Sequence, residues 1–276
     1  MATLNMNFLS KSLGLQTTVS IILPSFSFSD AMGDDKQAGY YREGMKFQTL
    51  WLLHGFSGDQ EDYIKFTNIV RYAQDHQLAV IMPAAYNAGY SDDPNGAKYM
   101  SFITDELPEM LQTYLPLSTK REDNFIGGLS MGAAGAMKIA LAYPEKYSYA
   151  FSMSGAMHHV DQPARVIDWF GDDPKAFKGS PGKDGPECLN TVADGFYTAK
   201  RNVEEKRELP RFLISVGDKD FALENCREAR DYLKELAYDV TYEEVPGYGH
   251  EWDFWDLTVK KVINEWLPLK NKPIYQ

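Results

Sequence analysis

The sequence predicts an α/β fold in which a largely parallel sheet is covered by helices on both faces. Short apolar segments alternate with longer helical patterns along most of the chain, and this alternation is typical of parallel α/β sheets. The 276 residues fit one large domain, and a hydrophobic content of 44% is enough for a substantial core. We therefore expect a single domain over residues 1–276.

Eight apolar segments have the length and composition of strands. Only Lys11 to Leu15 separates the first two, so we expect these to form an antiparallel pair that opens the sheet, and Pro83 ends the fourth. The predicted strands are Leu4–Leu9, Thr17–Leu23, Gln48–Leu53, Leu78–Met82, Asn124–Gly127, Tyr149–Met153, Arg211–Val216 and Val240–Val245.

Helical patterns lie between and after these strands. Pro108 predicts a break in the second helix, because proline lacks the amide hydrogen that a helix interior needs. Residues 156–210 are the least regular part and predict a lid or cap insertion, since the segment is too short for a core of its own. The predicted helices are Asp62–His76, Met100–Leu115, Ala133–Tyr143, Leu223–Leu236 and Trp252–Trp266.

Charge and composition exclude several classes of function. A net charge of −11 argues against a nucleic-acid or anionic-membrane partner, which would require a basic face. The spacing of Cys188 and Cys226 indicates neither a metal site nor a redox motif, and no metal or other cofactor is expected. No apolar stretch approaches the ~20 residues needed to span a bilayer, and Met1 to Gly14 lacks a signal-peptide pattern. We expect a cytoplasmic protein.

Ser130 is the strongest candidate for a nucleophile. It lies between Gly128 and Gly132, where an apolar strand gives way to a helix of small residues. A serine on such a sharp turn is exposed at the carboxyl end of the sheet, and the crowded backbone requires small neighbours. The motif alone is weak in a chain with 21 glycines, so the rest of the sequence must supply its partners.

A serine hydroxyl needs a base, and His250 has the expected position. It follows the last predicted strand and precedes the final helix, which is where an α/β-hydrolase carries its histidine. The acid should follow the preceding strand, where both Asp218 and Asp220 occur. Spacing alone does not separate them, and the second aspartate is then a turn residue.

An oxyanion hole requires two fixed N–H donors. One is expected from the residue after the nucleophile, Met131, and the other from Phe56 in the loop after the third strand. Gly55 lets that backbone approach closely, and His54 is interpreted as a residue that shapes the loop.

Aromatic side chains and further histidines complete the candidate residues. Tyr86, Tyr90 and Trp252 lie on loops at the same end of the sheet and are candidates for the substrate pocket. The remaining histidines have weaker cases. The pair at 158 and 159 could line a pocket, and the one at 76, at a helix C-terminus, is interpreted as structural.

Taken in order, these segments resemble the esterase D-like serine esterases, an α/β-hydrolase family, and most closely the tributyrin esterase type. The resemblance implies that Asp220 rather than Asp218 is the acid, and that Phe56 and Met131 supply the oxyanion amides. It also implies short acyl esters as substrates and a homo-oligomer. The matching segments are Leu13-Gly14-Leu15, Ile22-Leu23-Pro24, Leu52-Leu53-His54-Gly55, Gly128-Leu129-Ser130-Met131-Gly132, Gly217-Asp218-Lys219-Asp220-Phe221 and His250-Glu251-Trp252-Asp253-Phe254-Trp255.

The sequence therefore predicts a cofactor-independent serine carboxylesterase that hydrolyses short-chain esters. The alternative is a feruloyl or acetyl-xylan esterase that acts on plant-polysaccharide-derived esters, such as feruloylated or acetylated oligosaccharides. Lesser alternatives are a thioesterase similar to S-formylglutathione hydrolase, an acyltransferase, and a non-catalytic binding protein on a hydrolase scaffold.

Overall fold

The computed structural model describes residues 1–27, 31–32, 41–160 and 186–275. Its ten strands are β1 (Ala2–Ser10), β2 (Leu15–Leu23), β3 (Met45–Lys46), β4 (Gln48–Leu53), β5 (Leu78–Pro83), β6 (Asn124–Leu129), β7 (Tyr149–Met153), β8 (Arg211–Gly217), β9 (Val240–Val245) and β10 (Ile274–Tyr275). All eight predicted strands are present, with ends that differ by at most two residues.

Eight of the strands form one sheet in the order β1-β2-β5-β4-β6-β7-β8-β9. The first two pair antiparallel, β2 pairs antiparallel with β5, and all later neighbours are parallel. The prediction of a mostly parallel sheet opened by an antiparallel pair is confirmed. A second, two-stranded sheet joins β3 to β10 and was not predicted, because each of its strands has only two residues.

The α-helices are α1 (Asp62–Phe66), α2 (Ile69–Asp75), α3 (Tyr99–Ser101), α4 (Leu107–Tyr114), α5 (Met131–Ala142), α6 (Gly195–Glu204), α7 (Leu223–Glu235) and α8 (Trp252–Lys261). Two π-helical segments extend them: Phe102–Glu106 joins α3 to α4, and Val262–Trp266 continues α8. Among the described residues, no helix is both long enough and apolar enough to cross a membrane.

Alternate residues of the central strands face opposite sides of the sheet, as strand geometry requires. Trp51 and Leu53 of β4 belong to a core that includes side chains of α4, α5 and α7. Leu50 and Leu52 of the same strand belong to a second core, which includes side chains of α1, α2 and α8. Helices therefore cover both faces, as predicted.

The helix predicted over 62–76 is divided into α1 and α2. Thr67 has an extended backbone with φ −135°, so the first helix ends there. Its hydroxyl donates to the Tyr63 carbonyl and accepts the amide of Ile69. One threonine side chain thus satisfies groups at both broken ends, which explains why the pattern continues although the helix does not.

The break predicted at Pro108 takes another form. The chain is helical from Tyr99 to Tyr114, and Pro108 stands in the first turn of α4, directly after the π-helical segment. The helix is continuous at this point, so Pro108 does remove one helical hydrogen bond, and the π-helical turn before it is where the chain departs from regular α-helical bonding.

The predicted insertion at 156–210 lies partly outside the described residues, which omit 161–185. Its last third is more regular than expected, because Gly195–Glu204 forms α6. Asp194 caps this helix by accepting the amide of Tyr197, and Ala199 belongs to the same core as the side chains of α5. An aspartate before an amphipathic segment is a recognisable helix start, and this signal was available in the sequence.

Candidate active site

Ser130 occupies a strained turn between β6 and α5. Its φ of 52° and ψ of −118° lie outside the regions that residues other than glycine usually adopt. The backbone amide of Ser130 donates to the Met153 carbonyl of β7 at 2.8 Å, which ties the turn to the neighbouring strand. The turn therefore presents a serine side chain at the carboxyl end of the sheet, as the sequence predicted.

The two flanking glycines are required by close contacts between backbones. A Cβ atom on Gly128 would lie 2.6 Å from the Leu53 carbonyl oxygen, and one on Gly132 would lie 2.2 Å from the same atom. This oxygen belongs to the backbone, so it cannot move aside as a flexible side chain would. The spacing Gly-x-Ser-x-Gly is thus a packing requirement of the turn against the end of β4.

Ser130, His250 and Asp220 form a continuous chain of hydrogen bonds. Ser130 Oγ lies 3.0 Å from His250 Nε2, and His250 Nδ1 lies 3.1 Å from both carboxylate oxygens of Asp220. With a proton on Nδ1 the imidazole donates to the carboxylate, which leaves Nε2 free to accept the serine proton. This arrangement can activate the hydroxyl for attack on a carbonyl carbon.

Asp220 and Asp218 have opposite environments. The Asp220 side chain is completely buried, whereas Asp218 is exposed and accepts the amide of Gly247 at 2.8 Å. Burial opposes the ionisation of Asp220, but hydrogen bonds from His250, from the Ser154 side chain and from the Ala222 amide outweigh it. The pKa of Asp220 is consequently lowered, and the carboxylate is charged at neutral pH.

The loop after β4 packs directly against the serine turn. A Cβ atom on Gly55 would lie 2.6 Å from Leu129 Cδ1 and 3.5 Å from Ser130 Cβ, so the peptide that joins Gly55 to Phe56 is adjacent to the serine. The amide of Met131 is the first of α5, where helical N–H groups have no partner within the helix. Both predicted oxyanion residues therefore border Ser130.

His54 holds this loop in place. Its Nδ1 lies 2.7 Å from the Gly55 carbonyl oxygen, and its Nε2 accepts the amide of Ala85 at 3.0 Å. This pattern requires a neutral imidazole, in agreement with a pKa that burial lowers despite the Gly55 hydrogen bond and the charge of Asp59. The ring joins the loops that follow β4 and β5, which matches its interpretation as a loop-shaping residue.

The three predicted substrate aromatics have different environments. Tyr86 is 55% exposed and follows Ala85 in the loop after β5. The neighbouring Asn87 side chain accepts the amide of Ser57, which lies in the loop after β4 that carries Gly55 and Phe56 (the oxyanion loop). Trp252 is partly buried at the start of α8, with its ring 4.9 Å from that of Phe66. Tyr86 and Trp252 thus keep some accessible surface.

Tyr90 does not occupy the predicted pocket position. Its side chain is fully buried, and its hydroxyl donates to the His54 carbonyl at 2.8 Å. Positive φ angles at Tyr86 and Tyr90 bend the loop so that the second ring turns into the core, where it packs on Gly135 of α5. Tyr90 therefore supports the oxyanion loop from inside the core, through its hydrogen bond to the His54 carbonyl.

Three residues at the site were not singled out from the sequence. Ser154 and Trp255 are buried beside the Asp220–His250 pair, with Trp255 Nε1 donating to Ser154 Oγ at 2.8 Å. Phe221 is 71% exposed, and its ring centroid lies 4.3 Å from that of His250. Phe221 directly follows the candidate acid and Trp255 ends the matching segment that begins at His250, so both stood near predicted site residues, whereas Ser154 carried no such signal.

The other histidines lie apart from this hydrogen-bond chain. His158 lines a small cavity with Ala134 and Met157. His159 stacks on Phe196 and contacts Glu228 at 2.9 Å. His76 lies between Asn264 and Asn271 and joins the end of α2 to the C-terminal segment.

Known proteins match the chain over most of its length. Residues 10–261 match the Esterase family model, described as "Putative esterase". An acetyl esterase of Caldicellulosiruptor saccharolyticus is 29% identical over 277 residues, which cover 97% of this chain and 98% of the relative.

Solved structures give the same assignment. The fluorophosphonate-binding serine hydrolase FphF of Staphylococcus aureus, in a substrate-bound form, superposes with a TM-score of 0.78 at 29% identity and covers 96% of this chain and 98% of its own. A ferulic acid esterase with a TM-score of 0.73 at 18% identity, covering 96% and 97%, shares the fold. The architecture is that of the α/β-hydrolase serine hydrolases.

Proposed function

The chain belongs to the Esterase family and is a serine hydrolase of carboxylic esters, and on that premise we propose that Ser130, His250 and Asp220 carry out the reaction on short-chain acyl esters. The observation that carries this assignment is the chain of hydrogen bonds from Ser130 Oγ through the imidazole of His250 to the buried carboxylate of Asp220.

In the first half of the reaction, Ser130 Oγ attacks the ester carbonyl carbon and its proton passes to His250 Nε2. The carbonyl oxygen gains the negative charge, and in this proposal the amides of Phe56 and Met131 donate hydrogen bonds to it. Collapse of the tetrahedral intermediate breaks the bond to the alcohol, which leaves with the proton from Nε2. The acyl group is then bound to Ser130.

In the second half, water replaces the alcohol. His250 Nε2 accepts a proton from the water as its oxygen attacks the acyl carbonyl, and the same two amides again face the oxyanion. Ser130 leaves with the proton, and the carboxylic acid is released. Throughout, Asp220 accepts the Nδ1 hydrogen and stabilises the imidazolium that forms in each half.

A short acyl group is supported by the identity of the full-length relative, an acetyl esterase.

A feruloyl ester is the second candidate, and the exposed ring of Phe221 favours it. This ring lies against His250, with 4.3 Å between the two ring centroids, and Tyr86, beside the loop after β4, is also exposed. Flat exposed rings of this kind can stack on an aromatic substrate. Feruloylated or acetylated oligosaccharides are the soluble form of such a substrate.

A rate panel separates the two candidates. We expect kcat/KM to be highest for p-nitrophenyl acetate or butyrate, lower for the octanoate and lowest for methyl ferulate, with every rate falling to background in Ser130→Ala. A clear preference for methyl ferulate over the acetate would favour the second candidate. Retention of the acetate rate in Ser130→Ala would overturn the assignment of the nucleophile.

We further propose a cytoplasmic homo-oligomer. The negative net charge suits a soluble protein with small-molecule substrates, and Cys226 is a buried free thiol. Cell fractionation tests the location, and sedimentation equilibrium tests the oligomeric state, with a monomer at all concentrations as the contrary result.

A further inference from the structure

We propose that Ser154 and Trp255 are positioning residues that act on the imidazole of His250 through Asp220. This inference rests on the function proposed above. The two side chains form a second hydrogen-bond chain, which begins at the indole of Trp255 and passes through the Ser154 hydroxyl to the carboxylate of Asp220.

The direction of this chain follows from the donors available. An indole nitrogen can only donate, so at 2.8 Å Trp255 Nε1 fills an acceptor position of Ser154 Oγ. The hydroxyl keeps its own hydrogen, and its hydrogen bond with Asp220 must donate that hydrogen, because an ionised carboxylate only accepts. Trp255 therefore fixes the rotation of the hydroxyl that Asp220 uses.

The backbone of Ser154 is held in an unusual conformation for this purpose. Ser154 directly follows β7 and has a φ of 56°, a conformation that costs free energy for a residue other than glycine. Its amide donates to the Ser215 carbonyl of β8 at 3.0 Å, so the turn is tied to the strand that leads to Asp220. The strain orients the hydroxyl toward the carboxylate.

Trp255 contacts the imidazole of His250 as well as the hydroxyl of Ser154. Its ring is 6% exposed and lies edge-on to the imidazole of His250, at 90° and 5.0 Å between centroids. A single side chain of α8 therefore packs against His250 and orients the hydroxyl that binds Asp220. Burial at Ser154 is equally complete, at 1% exposure, so no bulk water replaces either group.

The titratable groups around Asp220 are few among the described residues. His250 donates to it from the following loop, and the Cys226 thiol faces it from α7. Burial raises the pKa of Cys226 to about 12, so the thiol is neutral near pH 7. Removal of the Ser154 hydroxyl should therefore change the charge balance of Asp220 and His250 alone.

Loss of a hydrogen bond to a charged group should lower kcat/KM of Ser154→Ala about tenfold or more. The carboxylate would then attract the proton of the imidazolium more strongly, so the midpoint of the acid limb of the kcat/KM profile should move to higher pH. Ser154→Gly also lacks the hydroxyl but relieves the backbone strain, so it should match Ser154→Ala in activity and exceed it in thermal stability.

The matched control is Ser215→Ala. Ser215 is also a buried serine that donates to a carboxylate, Glu243, at 2.8 Å, but that carboxylate is not part of the site. We expect Ser215→Ala to change stability without moving the pH profile. Trp255→Phe keeps a ring beside His250 and removes the indole donor, so its effect and that of Ser154→Ala should be less than additive in the double variant.

The decisive experiment introduces Ser154→Ala into the Asp220→Asn variant and measures kcat/KM with p-nitrophenyl acetate as the substrate. If Ser154 acts through Asp220, its removal should change kcat/KM of Asp220→Asn by less than about twofold. A full tenfold loss in that background, or an unchanged pH profile in Ser154→Ala, would overturn the inference. If Ser130→Ala retained activity instead, the proposed function would fail.

Discussion

The carbonyl oxygen of Leu53 lies where a side chain on Gly132 would begin. The separation between that oxygen and an ideal Cβ on Gly132 is 2.2 Å, well inside the contact distance of any two such atoms. The end of β4 and the first turn of α5 thus pack backbone against backbone, which brings the oxyanion loop and the nucleophile together.

Gly132→Ala should therefore damage both stability and activity. Because the obstructing atom is backbone, relief requires α5 to move away from β4, at a cost of about 1–3 kcal/mol in the free energy of unfolding. The same movement separates the Met131 amide from the Phe56 amide and should lower kcat. Chemical denaturation and initial rates measure the two effects.

Gly249→Ala is the control for this substitution. A Cβ atom there would meet nothing closer than 3.8 Å, so we expect a change in unfolding free energy within about 0.5 kcal/mol. Equal stability losses in the two variants would contradict the packing explanation.

Asp220→Asn should lower kcat by up to about 10⁴-fold, as the corresponding change does in serine proteases, because an amide no longer holds the imidazole in the useful tautomer. Asp218→Asn should lower it little, since Asp218 is exposed and binds only the Gly247 amide. Steady-state kinetics of both purified variants provide the test. If Asp218→Asn is the crippling change, the acid has been assigned to the wrong residue.

Tyr90→Phe should reduce kcat several-fold and destabilise the protein by about 1 kcal/mol, because the His54 carbonyl loses the hydroxyl that holds the oxyanion loop. Tyr238→Phe is matched, since Tyr238 is also buried and donates to a backbone carbonyl, that of Ala199, at 3.0 Å. We expect a similar stability loss and an unchanged kcat. Equal kinetic effects would show that Tyr90 is merely a core residue.

Glu244 should make stability depend on pH in acid. Hydrogen bonds from Arg227 and then Tyr242 lower the pKa of Glu244 to about 2. Since this pKa is lower in the folded state, the stabilisation is complete above the pKa of the unfolded chain and is lost as the pH falls toward 2. The difference in Tm between the wild type and Glu244→Gln should therefore be largest at neutral pH and shrink below about pH 4.5.

Glu224→Gln serves as the comparison, because the Glu224 side chain is 81% exposed and also binds Arg227. An exposed ion pair contributes little, so its Tm difference should be small at every pH. A Glu244→Gln difference that stays constant or widens in acid would rule out the predicted linkage.

The sheet and the order of Ser130, Asp220 and His250 could be predicted because each depends on local pattern. Ser130 directly follows its strand, Asp220 and His250 lie in the loops that follow theirs, and parallel strands end at the same edge of a sheet. Asp218 and Asp220 could not be separated in that way, since they share one loop and differ in burial, which only the packed structure supplies.

Other features depended on contacts that the sequence does not encode locally. Ser154 and Trp255 are 101 residues apart, and nothing near either one indicates that they meet. Tyr90 has the composition of a pocket residue, but a left-handed turn carries it into the core. Thr67 divides a continuous helical pattern through two side-chain hydrogen bonds, and no periodicity reveals such a bond.

The central claim is that Ser130 is the nucleophile, and covalent labelling tests it most directly. After treatment with a fluorophosphonate, intact-protein mass spectrometry of the wild type should show one adduct, and peptide mapping should locate it on Ser130. Ser130→Ala should show none while remaining folded. A single adduct on another residue, or equal labelling of Ser130→Ala, would contradict the claim.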